Sequence, residues 1–264
     1  MPMVLCDCHV HLASYEAQES YDVIRRAEGA NVKTIITAGT TLETSRRCIE
    51  LASSFTSVYA GVGIHPNRVR GFLKDSELEA LERLARSPRV VVWSETGMDY
   101  LPNAPNRQWQ EQAFREQIRL ARRLRLPLVW HSQVTEPNTA GQHPETLRIL
   151  REEHAEEVGG VMHYFQADEA TARRAIDAGS FISFAKPLLR QPHQWAIAQK
   201  LPLANIVLET DASPQPYKPS RADWTEPKDV ALVAQKLAEL KGVSVEEVAE
   251  ATSRNLLRLV GLHS

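Results

Sequence analysis

The feature that most constrains this chain is an alternation kept up for nearly its whole length: short apolar runs, each followed by a stretch with helical periodicity. The runs are Val4-Leu5-Cys6, Val32 to Thr37, Val58 to Ile64, Val90 to Trp93, Leu128 to Trp130, Gly160 to Met162, Phe181 to Phe184 and Ile206 to Leu208. Helices are expected over about 16–30, 42–54, 75–86, 107–124, 144–156, 168–178, 193–200, 226–241 and 244–258. In the fourth of these, Phe114, Ile118, Ala121 and Leu124 recur at helical spacing and form one core-facing stripe. Strands that alternate with helices require a parallel sheet, and eight of them favour closure into an α/β TIM (β/α)8 barrel. The competing doubly wound sheet would often carry a Gly-rich phosphate loop after its first strand, and none is present. No composition break marks a linker, so residues 1–264 read as one domain.

In such a barrel every strand delivers its C-terminal end to one face, where the active site lies. The polar residues at those ends are His9 and His11 on the first strand, His65 on the third, Glu95 on the fourth, His131 on the fifth, His163 on the sixth and Asp211 on the eighth. Five of the nine histidines therefore stand at strand ends. Any one of them could be a hydrogen-bonded core residue. Together in a half-dry pocket they would cost several kcal/mol unless divalent cations neutralised and held them. Four imidazoles with Glu95 and Asp211 exceed what one tetrahedral ion needs, which points to two ions and to a carboxylate such as Glu95 bridging them. A pair of this kind clamps the attacking and departing oxygens of a displacement.

By strand alternation Asp7, His9 and His11 should share one face, with Cys6, Cys8 and Val10 on the other, the cysteines packed against outer helices. Asp7 and Glu209, each two residues before a candidate ligand, should lie in the layer beneath the metals. There they would repel, so one is expected to orient a ligand histidine and the other to pair with a cation or turn away. Three cysteines do not suggest a disulfide framework. No apolar run of bilayer length or secretory leader is evident, so no membrane association and a cytoplasmic location are expected. The formal charge of −2 argues against electrostatic coating of nucleic acid, so any such contact must be local.

The motifs Asp7-Cys8-His9-Val10-His11-Leu12, Gly63-Ile64-His65-Pro66, Glu95-Thr96-Gly97-Met98-Asp99-Tyr100, Pro127-Leu128-Val129-Trp130-His131-Ser132, Gly160-Val161-Met162-His163-Tyr164-Phe165 and Leu208-Glu209-Thr210-Asp211 resemble, in order and spacing, those of the TatD family of metal-dependent deoxyribonucleases in the amidohydrolase superfamily. The resemblance covers essentially the whole chain. It implies a barrel with two divalent metal ions (zinc, magnesium or manganese) that hydrolyses DNA phosphodiesters, typically as a 3′-to-5′ exonuclease on single-stranded 3′ ends. Carried over by motif, His9, His11, Glu95 and Asp211 hold the first metal and Glu95, His131 and His163 the second, while Asp211 orients the attacking water and accepts its proton.

Some positions depart from the family pattern. Gln133 follows Ser132 where an arginine is usual, Tyr164 and Phe165 follow His163, and one extra residue separates Asp211 from Pro214. The rim loops offer His65, Arg68, Tyr100, Lys186 and Arg190 as substrate contacts, cations for phosphates and a ring for a base. Other rim cations and aromatics include Arg70, Arg107, Tyr217, Lys218 and Arg221. Two other readings remain: hydrolysis of a small ester, lactone or amide by the same metals, and a barrel that serves only as a scaffold. No obligate protein partner is evident.

Overall fold

The computed structural model describes residues 3–134 and 142–262. Eight strands, β1 (Leu5–Val10), β2 (Val32–Thr37), β3 (Val58–Val62), β4 (Val90–Asp99), β5 (Leu128–Gln133), β6 (Gly160–Met162), β7 (Ser180–Phe184) and β8 (Ile206–Leu208), pair in chain order as one parallel sheet. A parallel bridge between Val10 and Ala212 brings the first strand against the chain leaving the last. Asp211 N donates to His9 O at 3.0 Å and His11 N to Ala212 O at 2.8 Å, which closes the sheet. The fold is the expected TIM barrel.

Around it lie α1 (Ala17–Gly29), α2 (Leu42–Ser54), α3 (Asp75–Ala85), α4 (Arg107–Leu124), α5 (Gln142–Glu152), α6 (Glu169–Asp177), α7 (Pro192–Lys200), α8 (Val230–Lys241) and α9 (Val245–Leu259). Their starts follow local chemistry: the side chains of Thr41, Asn106, Asp168 and Ser244 accept hydrogen bonds from the first-turn amides of α2, α4, α6 and α9. Two helix ends differ most from those read in the sequence. The helix expected over 144–156 ends at Glu152, because His154 takes a left-handed conformation with φ 54° and begins a separate short turn. The one expected from 226 opens as a 3-10 turn at Pro227–Asp229 before α8 begins. No helix among the described residues is long and apolar enough to cross a membrane.

Within the barrel, Cys6, Cys8, Ile36, Val91, Val92, Val129, Val161 and Val207 form one apolar cluster against which Tyr59 and Phe181 pack. It draws on all eight strands, and only the inside of a closed sheet lets all of them meet. Leu256 of α9 joins it. The cysteines therefore do not pack outward as strand alternation suggested. The cause is register: Asp7 pairs with Ile35 and Val10 with Thr37, so β1 spends three residues where β2 spends two. A bulge of this kind reverses alternation. Before it Cys6 and Cys8 point in and Asp7 points out; after it His9 and His11 point in.

Helix α4 carries the expected stripe, with Phe114, Ile118 and Ala121 fully buried, and adds two buried amides one heptad apart. Gln117 Oε1 accepts from Ile64 N at 2.7 Å and from Trp93 Nε1 at 3.1 Å, and its Nε2 donates to Ile64 O at 3.0 Å. Gln110 Oε1 accepts from Asp99 N at 2.8 Å, and its Nε2 donates to Asp99 O at 3.1 Å. These glutamines occupy the backbone groups that end β3 and β4, so they fix the height at which His65 and Asp99 meet the barrel mouth.

Glu226, ahead of α8, is tied to α1 by a two-pronged pair with Arg26, both contacts at 2.8 Å, and also pairs with its neighbour Lys228 at 3.2 Å. Burial alone would raise the Glu226 pKa, but these cations outweigh it and hold the carboxyl at about 2, against an ordinary 4.5. A depressed folded-state pKa gives stability that is present above the unfolded value and lost as pH falls toward the folded one. Glu226→Gln is therefore expected to cost about 1–2 kcal/mol at pH 7 after allowance for solvent screening, and almost nothing near pH 2. Denaturant melts at the two pH values check this; a penalty independent of pH would contradict the assignment.

Candidate metal centre

Two local irregularities build the centre. The bulge in β1 turns His9 and His11 inward. In β4, Trp93 pairs with Leu128 and Thr96 with Trp130, again three residues against two. Trp93 faces outward to Gln117, and the extra residue brings Glu95, only two positions later, inside. His131 lies in β5 two residues before its end, His163 follows β6, and His65 follows β3. Asp211 lies three residues past β8 in a left-handed conformation, φ 53°. A non-glycine residue held there costs on the order of 1–3 kcal/mol and is retained where the surroundings impose it.

Glu95 sits at the middle of five imidazoles. Its Oε1 lies 3.0 Å from His131 Nδ1, 3.1 Å from His163 Nε2 and 3.2 Å from His65 Nε2. Its Oε2 lies 3.5 Å from His9 Nε2 and 3.7 Å from His11 Nε2. Asp211 Oδ1 is 3.1 Å from His11 Nε2 and 3.9 Å from His9 Nε2. All six candidate ligands read from the sequence thus converge, and His65 stands with them: instead of facing only the rim, it points Nε2 at Glu95 while Nδ1 accepts from Asn67 N at 3.0 Å.

The electrostatics follow from this crowding. Burial opposes ionisation of Glu95, but His65, His163 and His131 outweigh it and hold its pKa well below the usual carboxylate range. Burial likewise opposes ionisation of Asp211, which His11 overcomes. His9 and His65 are pushed down by burial. His163, though buried, is held well above its usual value by Glu209 and Glu95.

The donor set fits divalent cations. His9 Nε2 and His11 Nε2 are 3.4 Å apart, close to the roughly 3.3 Å edge between two imidazole ligands of one tetrahedral ion with Zn–N near 2.0–2.1 Å. Asp211 Oδ1 is buried and makes no well-directed hydrogen bond despite its closeness to His11, as suits an atom aimed at a shared centre. Three groups, His9 with His11 and Asp211, His9 with Glu95 and His163, and His65 with Glu95 and His131, each bring their donor atoms within 4.8 Å of one another.

Of the two acids expected beneath the metals, one meets a histidine and the other is turned away. Both are fully buried. Glu209 Oε1 lies 3.1 Å from His163 Nδ1 and accepts from Tyr164 N at 2.8 Å, so it orients that imidazole. Asp7 is turned away by the bulge; it accepts from Thr210 N at 3.1 Å and Thr210 Oγ1 at 2.5 Å, and burial raises its pKa well above the usual range.

The mouth is an open cleft of about 750 Å³ whose walls include Thr40, Asn67, Arg68, Asp99, Tyr164 and Ser213. Of the substrate contacts expected from sequence, His65 and Arg68 line it. Tyr100, Lys186 and Arg190 are not among its lining residues. The Tyr100 hydroxyl is tied to Thr146 Oγ1 at 2.9 Å, and Lys186 Nζ pairs with Asp229 Oδ2 at 2.8 Å. Among the other rim cations, Arg107 pairs with Glu145, Arg221 with Glu19 and Glu226, and Lys218 donates to Asp223 O. Asp99 was overlooked as a site residue. Its Oδ2 is 3.4 Å from His131 Nε2 and accepts from Asn67 Nδ2 at 2.6 Å. The signal was present, since Asp99 is four residues beyond Glu95 on the same strand and shares its face.

A family model described as TatD related DNase matches residues 6–261. The uncharacterized metal-dependent hydrolase YcfH of Escherichia coli is 33% identical, over 97% of this chain and 96% of its own. Human deoxyribonuclease TATDN3 is 30% identical over 97% and 94%. The crystal structure of YJJV, a TatD homolog from E. coli K12, superposes with a TM-score of 0.87 at 28% identity and covers both chains fully. The chain belongs to the TatD related DNase family and is a metal-dependent hydrolase.

Proposed function

We propose that this hydrolase is a deoxyribonuclease that shortens single-stranded DNA from its 3′ end with two divalent cations held on either side of Glu95. The observation that carries the reading is the division of labour at that carboxylate: Oε2 faces His9 and His11, Oε1 faces His131, His163 and His65. Zinc, manganese or magnesium bound there would supply Lewis acidity, offsetting charge on phosphate oxygens and making hydroxide available near neutral pH. His9, His11, Glu95 and Asp211 would hold one cation and Glu95, His131 and His163 the other. Asp211, an ionised carboxylate at the cleft wall, orients the attacking water and takes its proton. Arg68 and His65 face the same cleft and suit a phosphate. The relatives named deoxyribonucleases support DNA as the substrate.

The test is loss of label from 3′-end-labelled single-stranded DNA with each metal in turn, with Glu95→Ala as control. Stepwise metal-dependent loss that the variant lacks is expected. No such loss, or turnover of small esters and lactones in its place, would overturn the nuclease reading. The same reading makes Glu209 a positioning residue. Glu209→Gln should weaken metal retention about 10- to 100-fold in chelator competition, because the amide no longer polarises His163; unchanged retention would count against it.

A further inference from the structure

We infer that Tyr164 is the platform on which the base of the 3′-terminal nucleotide stacks, a specificity-determining contact that rests on the nuclease reading above. Were β6 to continue past Met162, the residue after an inward His163 would point out of the barrel. Tyr164 does not, because its backbone takes a left-handed conformation, φ 47°, with its amide fastened to Glu209 Oε1 at 2.8 Å. Tyr164 thereby lines the cleft, its ring tilted 42° to the His163 imidazole with 5.9 Å between centroids.

The remaining walls explain why this ring matters. Among the described lining residues Tyr164 is the one phenol, phenyl or indole ring, and Leu101 is the other large apolar group; the rest are imidazoles, carboxylates, amides, hydroxyls and Arg68. A phosphodiester placed at the centre must put its attached nucleoside against some wall, and a flat heteroaromatic base gains from stacking on an aromatic face. The same acid that orients His163 also fixes Tyr164 through Glu209, so the platform is registered to the reacting centre. A left-handed non-glycine residue is costly to keep and occurs preferentially at sites of function.

The experiment uses two single-stranded oligonucleotides, one ending in an ordinary 3′ nucleotide and one whose 3′-terminal sugar lacks a base, with wild type, Tyr164→Phe and Tyr164→Ala. For the ordinary end, Tyr164→Ala should raise KM about tenfold or more with kcat little changed. Tyr164→Phe should stay near wild type, and the baseless end should be hydrolysed alike by all three. Equal loss on both ends, or no loss on either, would overturn the platform while leaving the nuclease intact. A wild type inactive on both oligonucleotides but active on a small ester would overturn both proposals together.

Discussion

Glu95→Gln is expected to lower hydrolysis by at least about a thousandfold and to leave purified protein depleted of metal. The isosteric change keeps the volume but removes the one negative charge that two donor sets share. An amide offers a single weak oxygen donor, so it can serve one side of the centre at most. The imidazoles of His65, His131 and His163, all within 3.2 Å of Oε1, would then face an NH2 group or a neutral oxygen where a carboxylate had been. Removing one partner of a buried charge cluster leaves the others uncompensated. Elemental analysis beside a rate measurement separates the two effects. An amide variant that kept both its metal and its rate would show that Glu95 does not hold the centre together.

The second large effect is on stability. Gly97→Ala should cost about 3 kcal/mol or more, a fall in Tm of roughly 6–12 °C for a chain of this size. A Cβ there would lie 2.1 Å from His131 O and 2.8 Å from His131 N, both backbone atoms that cannot swing aside, and φ is +142°. β4 and β5 would have to part beside a site histidine. Gly242→Ala is the control: φ is +66° there too, but nothing lies within 4 Å, so only the backbone penalty of about 1 kcal/mol remains. Melts of chelator-treated protein keep metal loss out of the comparison. Equal shifts for the two variants would remove the steric explanation.

The barrel was legible because its evidence is redundant. Eight apolar runs and their helices each repeat one periodicity, and errors such as the early end of α5 at Glu152 do not disturb the count. The six converging side chains were legible for a related reason: in a parallel barrel, standing at a strand's end is enough to reach the mouth. Register was not legible. Whether β1 inserts a residue between Asp7 and Val10 depends on its partner strand, and no local pattern around Cys8 announces it. Alternation therefore placed His9, His11 and Val10 correctly but sent Asp7 and the two cysteines to the wrong faces.

Rim chemistry was harder still. Tyr100 and Lys186 have the right residue types for substrate, but each is occupied by a neighbour far away in sequence, Thr146 and Asp229. Asp99 was passed over although its spacing from Glu95 placed it on the inner face. Charged side chains find partners through tertiary geometry that a linear string does not display.

The parallel bridge between Val10 and Ala212 bears on how the protein is made. His9 and His11 stand on one side of that seam and Asp211 on the other, so a ribosome that has released only the first half of the barrel has not yet supplied every candidate ligand. The donor set of His9, His11 and Asp211 is complete only when the chain leaving the final strand has docked against the first. A cation held there would act as a rivet set last, fastening the newest part of the chain to the oldest.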